Sequence, residues 1–305
     1  MAGQKAETCM NVMSGPKSPY NYRKQFKNVI GYLYLIPFAV FTIPFLFYPF
    51  SQAFYYIFLE WDGFGEKKFI GIYNFIRMLG DRRFIEALVA NSFYIIFFWA
   101  LPIILGLLLT ALVGRRSFLG QGIFRIAMLT PLAMTSVAIG IVFYTIFSPS
   151  GLLNEIARVL NIPVKIAWLG STPTARLAVG LVGTWAIIGF ATILFISALQ
   201  KIPESFLEIA ELEGATDFQK LRYVIIPYLK HTIIFVSLFS LIGALGTTAY
   251  GIVASLTGGA YYTRPLAHYG YAVAFVEYEV GYGAAIIFIP AVVGLILSYI
   301  IYRVE

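Results

Sequence analysis

The 305 residues are 59% hydrophobic and only 12% charged, with a net charge of +7 and one cysteine. A soluble domain carries about a quarter charged residues, so a water-soluble globule is excluded, as are a disulfide framework and a cysteine-rich metal site. The apolar runs are continuous rather than alternating, against a membrane β-barrel, and Lys and Arg lie beside those runs, which fits retention on the cytoplasmic side of a bilayer better than nucleic-acid binding.

In chain order, residues 1–28 are polar, contain Cys9 and lack the apolar core of a signal peptide; they are expected to be a cytoplasmic tail. Residues 29–305 are expected to form one all-α integral membrane domain. Six transmembrane helices are predicted at about 29–59, 87–113, 126–147, 177–199, 233–256 and 284–302, with both termini cytoplasmic. About 20 apolar residues cross a bilayer, so the first run is over-long and must tilt or bend, and Pro37, Pro44 and Pro49 give it places to do so. The loop "GEKKFIGIYNFIRMLGDRR" is placed outside although it is itself basic. Gly243, Ala244, Gly246, Ala249 and Gly251 form a small-residue stripe in the fifth run, expected to pack closely on a neighbouring helix.

One segment, about 200–230 between the fourth and fifth runs, breaks the apolar pattern. Pro203 can open a helix there, and Glu204 and Glu208 suit the positive end of its dipole. That helix is expected to stop at Gly214, which can adopt the left-handed conformation. Thr216 followed by Gln219 reads as a capping box opening a second helix that contains Asp217, Phe218, Leu221 and Arg222 and must bend or reset near Pro227. Phe206, Ile209, Ala210 and Glu213 share one face, and Phe218, Leu221 and Ile225 another. An apolar surface rimmed by charge suits a docking element; a well-capped connecting loop with a solvated face has the same spacing.

The chain offers little for catalysis. His231 and His268 are far apart, Glu60, Asp62 and Glu66 are spaced for little beyond solvation, and no metal cluster is apparent. The lack of a carboxylate or metal cluster and of a paired acid–histidine set argues against an integral-membrane enzyme, and the six apolar runs hold essentially no ionisable residue, which argues against a proton- or sodium-coupled carrier. No Gly-Lys-Ser/Thr phosphate cradle occurs.

The stretch "EIAELEGATDFQKLRYVIIP" resembles the EAA loop of permease subunits of binding-protein-dependent ABC importers. Glu208, Ala210, Gly214, Ala215, Ile225 and Pro227 keep that family's pattern, while Ile209, Glu213 and Leu221 replace its Ala, Asp and Phe. "FIGIYNFIRMLGDRRFIEALVANSF", "GLLNEIARVLNIPVKIAWLG", "LTGGAYYTRPL" and "AFVEYEVGYGAAI" are similar to further segments of the carbohydrate-type permeases. The resemblance implies a prokaryotic inner-membrane protein that is not itself an enzyme and binds no cofactor. It implies a second, different permease chain among the partners, two cytoplasmic ATPases that bind ATP and Mg, an extracytoplasmic solute-binding protein and the surrounding lipid. Within 205–222, with Pro227, the residues Glu208, Ala210, Glu213, Gly214, Ala215, Asp217, Phe218 and Leu221 would then couple to the ATPase. The cargo implied is a sugar or oligosaccharide, the alternative being a polyol or a glycerol-phosphate-type solute. Asn91, Thr184, Trp185, Ser240, Thr247 and Tyr250 offer amide, hydroxyl and aromatic groups for a sugar, and the same residues suit helix–helix contacts or interfacial anchoring. "WDGFGEKK" and "GDRRF" offer charge for docking the binding protein or for solvation.

Overall fold

The computed structural model describes residues 34–113, 120–162 and 166–303; the expected tail at 1–28 lies outside them. The chain divides into two units, Met1–Tyr55 and Tyr56–Glu305. The first contributes most of helix α1 (Tyr34–Tyr56). A π-helical turn at Ile43–Phe47, which contains Pro44, interrupts its regular course, the kind of irregularity that a missing backbone donor favours.

The second unit opens with a short antiparallel hairpin, β1 (Leu59–Glu60) on β2 (Lys68–Phe69). Helix α2 (Tyr73–Gly80) follows, then α3 (Arg82–Val113), which starts five residues before the predicted second span because Asp81 caps it: its side chain accepts from the Arg83 amide at 2.9 Å. The predicted third span is not continuous. It is α4 (Gln121–Ala133) and α5 (Ser136–Phe147), parted at Met134 and Thr135, where Thr135 turns extended and its hydroxyl caps α5 by accepting from Ala138 N. After α6 (Leu152–Val159) comes the 28-residue α7 (Thr172–Leu199). Then come α8 (Glu204–Leu212) and α9 (Asp217–Tyr228). The predicted fifth span is also divided, into α10 (Lys230–Leu245) and α11 (Thr247–Leu256), by Gly246 at φ −123°, ψ −128°. Helix α12 (Leu266–Phe275), which hydropathy did not separate from the last outer loop, precedes α13 (Val280–Arg303).

Among the described residues five stretches are long and apolar enough to cross a membrane: α1, α3, α5 joined with α6, α7 and α13. The pair α9 and α10, bent by 77°, makes a sixth if counted as one span. The protein is thus an all-α membrane protein.

Helix α7 is the axis of the second unit. Within lipid, apolar side chains gain nothing from leaving their surroundings, so helices associate by close van der Waals packing, which small residues permit. A Cβ on Gly189 would lie 1.7 Å from the Met128 carbonyl oxygen, and one on Gly183 would lie 2.1 Å from the Phe98 ring. Glycine at both places therefore lets α4 and α3 seat directly on α7. The expected small-residue stripe packs in the same manner, with Ala244 and Ala249 fully buried.

Candidate functional site

The clearest candidate is the bracket formed by α8 and α9. Pro203 is extended and stands just before α8, and the helix ends with Glu213 as its C-cap. Gly214 follows at φ +77°, and Ala215 N donates back to Ala210 O at 2.9 Å, satisfying a terminal carbonyl. The capping box is present in full: Gln219 N donates to Thr216 Oγ1 at 3.3 Å and Thr216 N to Gln219 Oε1 at 2.8 Å. Lys220 clasps the two helices, its Nζ lying 2.9 Å from Glu211 and 2.8 Å from Asp217.

The bracket has a bound side and an open side. Leu221, Ile225 and Leu229 are buried against the C-terminal end of α7, in a cluster with Phe195, Leu199 and Ile202. A π turn at Leu221–Ile225 carries the chain towards Pro227, and Leu229, with no exposed surface, forms the elbow into α10. Leu221 therefore anchors the bracket rather than facing outward with the other named positions. On the open side Phe206, Ile209, Leu212, Phe218 and Tyr223 are exposed, Leu212 at 88%. Glu208 and Asp217 are exposed beside them. A cavity of about 390 Å³ elsewhere is larger, but the bracket has its own hollow of about 300 Å³, lined by Ala210, Glu213, Gly214, Ala215, Lys220 and Tyr223 among others. The arrangement offers a firmly anchored apolar knuckle with a charged rim.

No hydrogen bond or ring contact among the described residues joins any two of the six residues named for a cargo path. Asn91 is buried and fully engaged: its Oδ1 accepts from Leu266 N at 2.7 Å and its Nδ2 donates to Ala244 O at 3.4 Å. It thereby caps α12 from another helix. Thr184 donates to Phe97 O at 2.7 Å, a carbonyl in the π turn Ile96–Ala100 of α3. Both polar groups are committed to holding helices. Trp185 is partly exposed and meets the Phe143 ring edge-on at 5.1 Å. Ser240 is fully buried, and its hydroxyl has no hydrogen-bond partner among the described residues. The Thr247 side chain lies outside what is described. Tyr250 sits against His268, with ring centroids 4.9 Å apart.

The loop "GDRRF" is not simply solvated. Asp81 accepts from the Tyr269 hydroxyl at 2.5 Å and the Tyr282 hydroxyl at 2.7 Å. Arg77 pairs with Glu279, and Arg83 with Glu277 at 2.8 Å. Burial works to raise the Asp81 pKa, but the two tyrosine hydroxyls and the backbone amides of Arg83 and Phe84 outweigh it, so the carboxyl lies below its ordinary range. This network ties the α2–α3 junction to the α12–α13 junction. Its signal in the sequence was the pairing of "RMLGDRR" with "VEYEV", in which Arg77 and Arg83 face two glutamates about 200 residues away.

Comparison with known proteins places this architecture. Residues 103–305 match the family model described as binding-protein-dependent transport system inner membrane component. The diacetylchitobiose uptake system permease protein NgcF of Streptomyces coelicolor is 28% identical over 88% of this chain and 80% of that protein. The sn-glycerol-3-phosphate transport system permease protein UgpA of Agrobacterium fabrum is 30% identical over 84% of this chain and 88% of that protein. The fold matches a bacterial ABC transporter involved in import of the acidic polysaccharide alginate, with a TM-score of 0.75 at 20% identity, covering 93% of this chain and 98% of that one. On this evidence the chain belongs to the binding-protein-dependent transport system inner membrane components, and it is a multi-pass permease of an ABC transporter in the cytoplasmic membrane rather than an enzyme.

Proposed function

We propose that this chain, with a second permease, forms the path for a sugar or oligosaccharide, and that the bracket 205–222 is the handle by which a separate cytoplasmic ATPase drives it. The observation that carries the reading is the bracket itself: turned at Gly214, capped by the Thr216–Gln219 box, rooted through Leu221, Ile225 and Leu229, and presenting Phe206, Ile209, Leu212 and Phe218 to a partner. Since no phosphate-cradling sequence occurs here, ATP and Mg belong to two copies of that partner. Closure of the ATPases would push the bracket, and the elbow at Leu229 would pass the push to α10, a rigid-body transition biased by nucleotide. This reading puts the bracket and both termini in the cytoplasm, gives the chain six spans, and leaves delivery to an extracytoplasmic binding protein.

A sugar is favoured by the relative named for diacetylchitobiose uptake and by the charge pattern. Among the described residues the cations of the crossing helices stand near their ends, and Arg176, the most inward of them in α7, is spent on the carbonyls of Tyr262 at 2.7 Å and Glu86. A phosphorylated cargo would need a free cation along its path. The relative named for sn-glycerol 3-phosphate transport keeps that solute as the second reading. The test is import into ATP-loaded proteoliposomes holding both permeases, the ATPase and the binding protein, with labelled diacetylchitobiose, maltose, lactose and sn-glycerol 3-phosphate. Uptake of a sugar that needs the ATPase supports the proposal. Uptake by this chain alone, or of the phosphate ester only, refutes it.

A further inference from the structure

We infer that α11 and α12 carry an aromatic runway for the pyranose rings of the cargo, made by Tyr250, His268, Tyr271 and Phe275; this rests on the sugar reading above. Helix α12 is two-sided. Leu266, Tyr269, Gly270 and Val273 are buried, and it packs chiefly on α13. His268, Tyr271 and Phe275 fall three and four residues apart, one stripe of a helix, and lie on its less buried side, Tyr271 and Phe275 being exposed. Tyr250 of α11 completes the row. Its ring centroid is 4.9 Å from His268 and 5.8 Å from Tyr271, and Tyr271 is 4.9 Å from Phe275. Four rings from two helices thus form one contiguous track.

The polar atoms on this track are unspent. The hydroxyls of Tyr94, Tyr262, Tyr269 and Tyr282 in the neighbouring structure each find a partner. Among the described residues the hydroxyls of Tyr250 and Tyr271 make no hydrogen bond, whereas His268 Nδ1, also without a partner, is buried beneath the ring surface. A stripe meant for lipid tails would not keep two unpaired phenol hydroxyls, because each is costly in hydrocarbon. At ten residues α12 is moreover too short to span a bilayer. A pyranose ring answers the arrangement: its C–H faces lie flat on aromatic rings, and its hydroxyls reach the phenols. Of the earlier cargo candidates Tyr250 joins this track, while Asn91 and Thr184 hold backbone groups.

The test uses the whole importer in proteoliposomes, with maltose, lactose and diacetylchitobiose as probes and sugar moved per ATP hydrolysed as the readout. For whichever sugar the wild type carries, Tyr271→Leu and Phe275→Leu should each lower that ratio by about fivefold or more, since aromatic contacts are each worth several-fold in an equilibrium. Tyr271→Phe should retain more than Tyr271→Leu. Size-exclusion chromatography of the assembled complex separates the other occupants of this face. If Tyr271→Leu and Phe275→Leu leave the ratio unchanged, the stripe is an interfacial lipid belt; if they abolish assembly, it is a contact with the second permease. Either result overturns the runway while leaving the sugar reading intact. Failure of the wild type to carry any of the three sugars overturns both.

Discussion

Replacing Gly214 by valine isolates the turn of the bracket from its surface. A Cβ at Gly214 meets no atom within 4 Å, so the substitution crowds nothing inside the chain. What it opposes is the backbone, held at φ +77°. A non-glycine residue in that region costs about 1–2 kcal/mol, and a β-branched one lies at the upper end or beyond. Set against stabilities of about 5–15 kcal/mol, this is too little to unfold the protein, yet it shifts a local equilibrium by about 5–30-fold. The chain should therefore insert and keep its melting temperature within a few degrees, while co-purification with the ATPase and uptake fall by about tenfold. Gly214→Asn is the control, because asparagine tolerates the left-handed region; it should keep most of both activities. If asparagine and valine fail alike, the partner needs the bare surface of glycine and the turn argument is wrong. If both behave as wild type, the bracket is not a coupling element.

Gly189→Ala should lower thermal stability in detergent by about 1–3 kcal/mol through overpacking on Met128, whereas Gly122→Ala, with open space around it, should be neutral. Asn91→Leu removes the cap of α12 and leaves the buried Leu266 amide unpaired, a loss of about 1–3 kcal/mol that should appear as faster hydrogen exchange in α12. For the Asp81 network the sign follows from its lowered pKa: the stabilisation is complete above the unfolded value of about 3.9 and is lost as pH falls through the lower folded value. Asp81's contribution to the melting temperature should thus be constant between pH 8 and 5, and the difference between wild type and Asp81→Asn should begin to shrink below about pH 4 and vanish only below the lowered folded value.

The bracket could be read from sequence because everything that shapes it is local. Pro203, Gly214 and the Thr216–Gln219 box each act within a turn of their own position, and the structure keeps all three. The breaks at Met134 and Gly246 lie in smoothly apolar runs, where hydropathy reports only that lipid is tolerated. What parts those helices is packing: α4 seats on α7 and α5 on α11. Helix α12 was hidden for a related reason, since its cap is a side chain 175 residues away. The tie between Arg77 and Glu279 is equally remote, so the two basic and acidic segments looked like separate solvated loops. Polar residues in the spans were visible, but whether an amide or hydroxyl faces a cargo or a backbone carbonyl depends on which helix lies opposite. Asn91 and Thr184 turned out to face carbonyls.

The sharp corner at Leu229 has a consequence for leverage. Helix α9 is about 18 Å long and α10 about 24 Å, and they meet at 77° around a side chain with no room to slide. Such a bent crank converts a shove along one axis into a sweep along another. A tilt of about 10° at the corner displaces the near tip by about 3 Å and the far tip by about 4 Å. The far tip ends at Gly246, where the helix is severed, so the stroke would stop there and leave α11, with its ring-bearing tyrosine, in place.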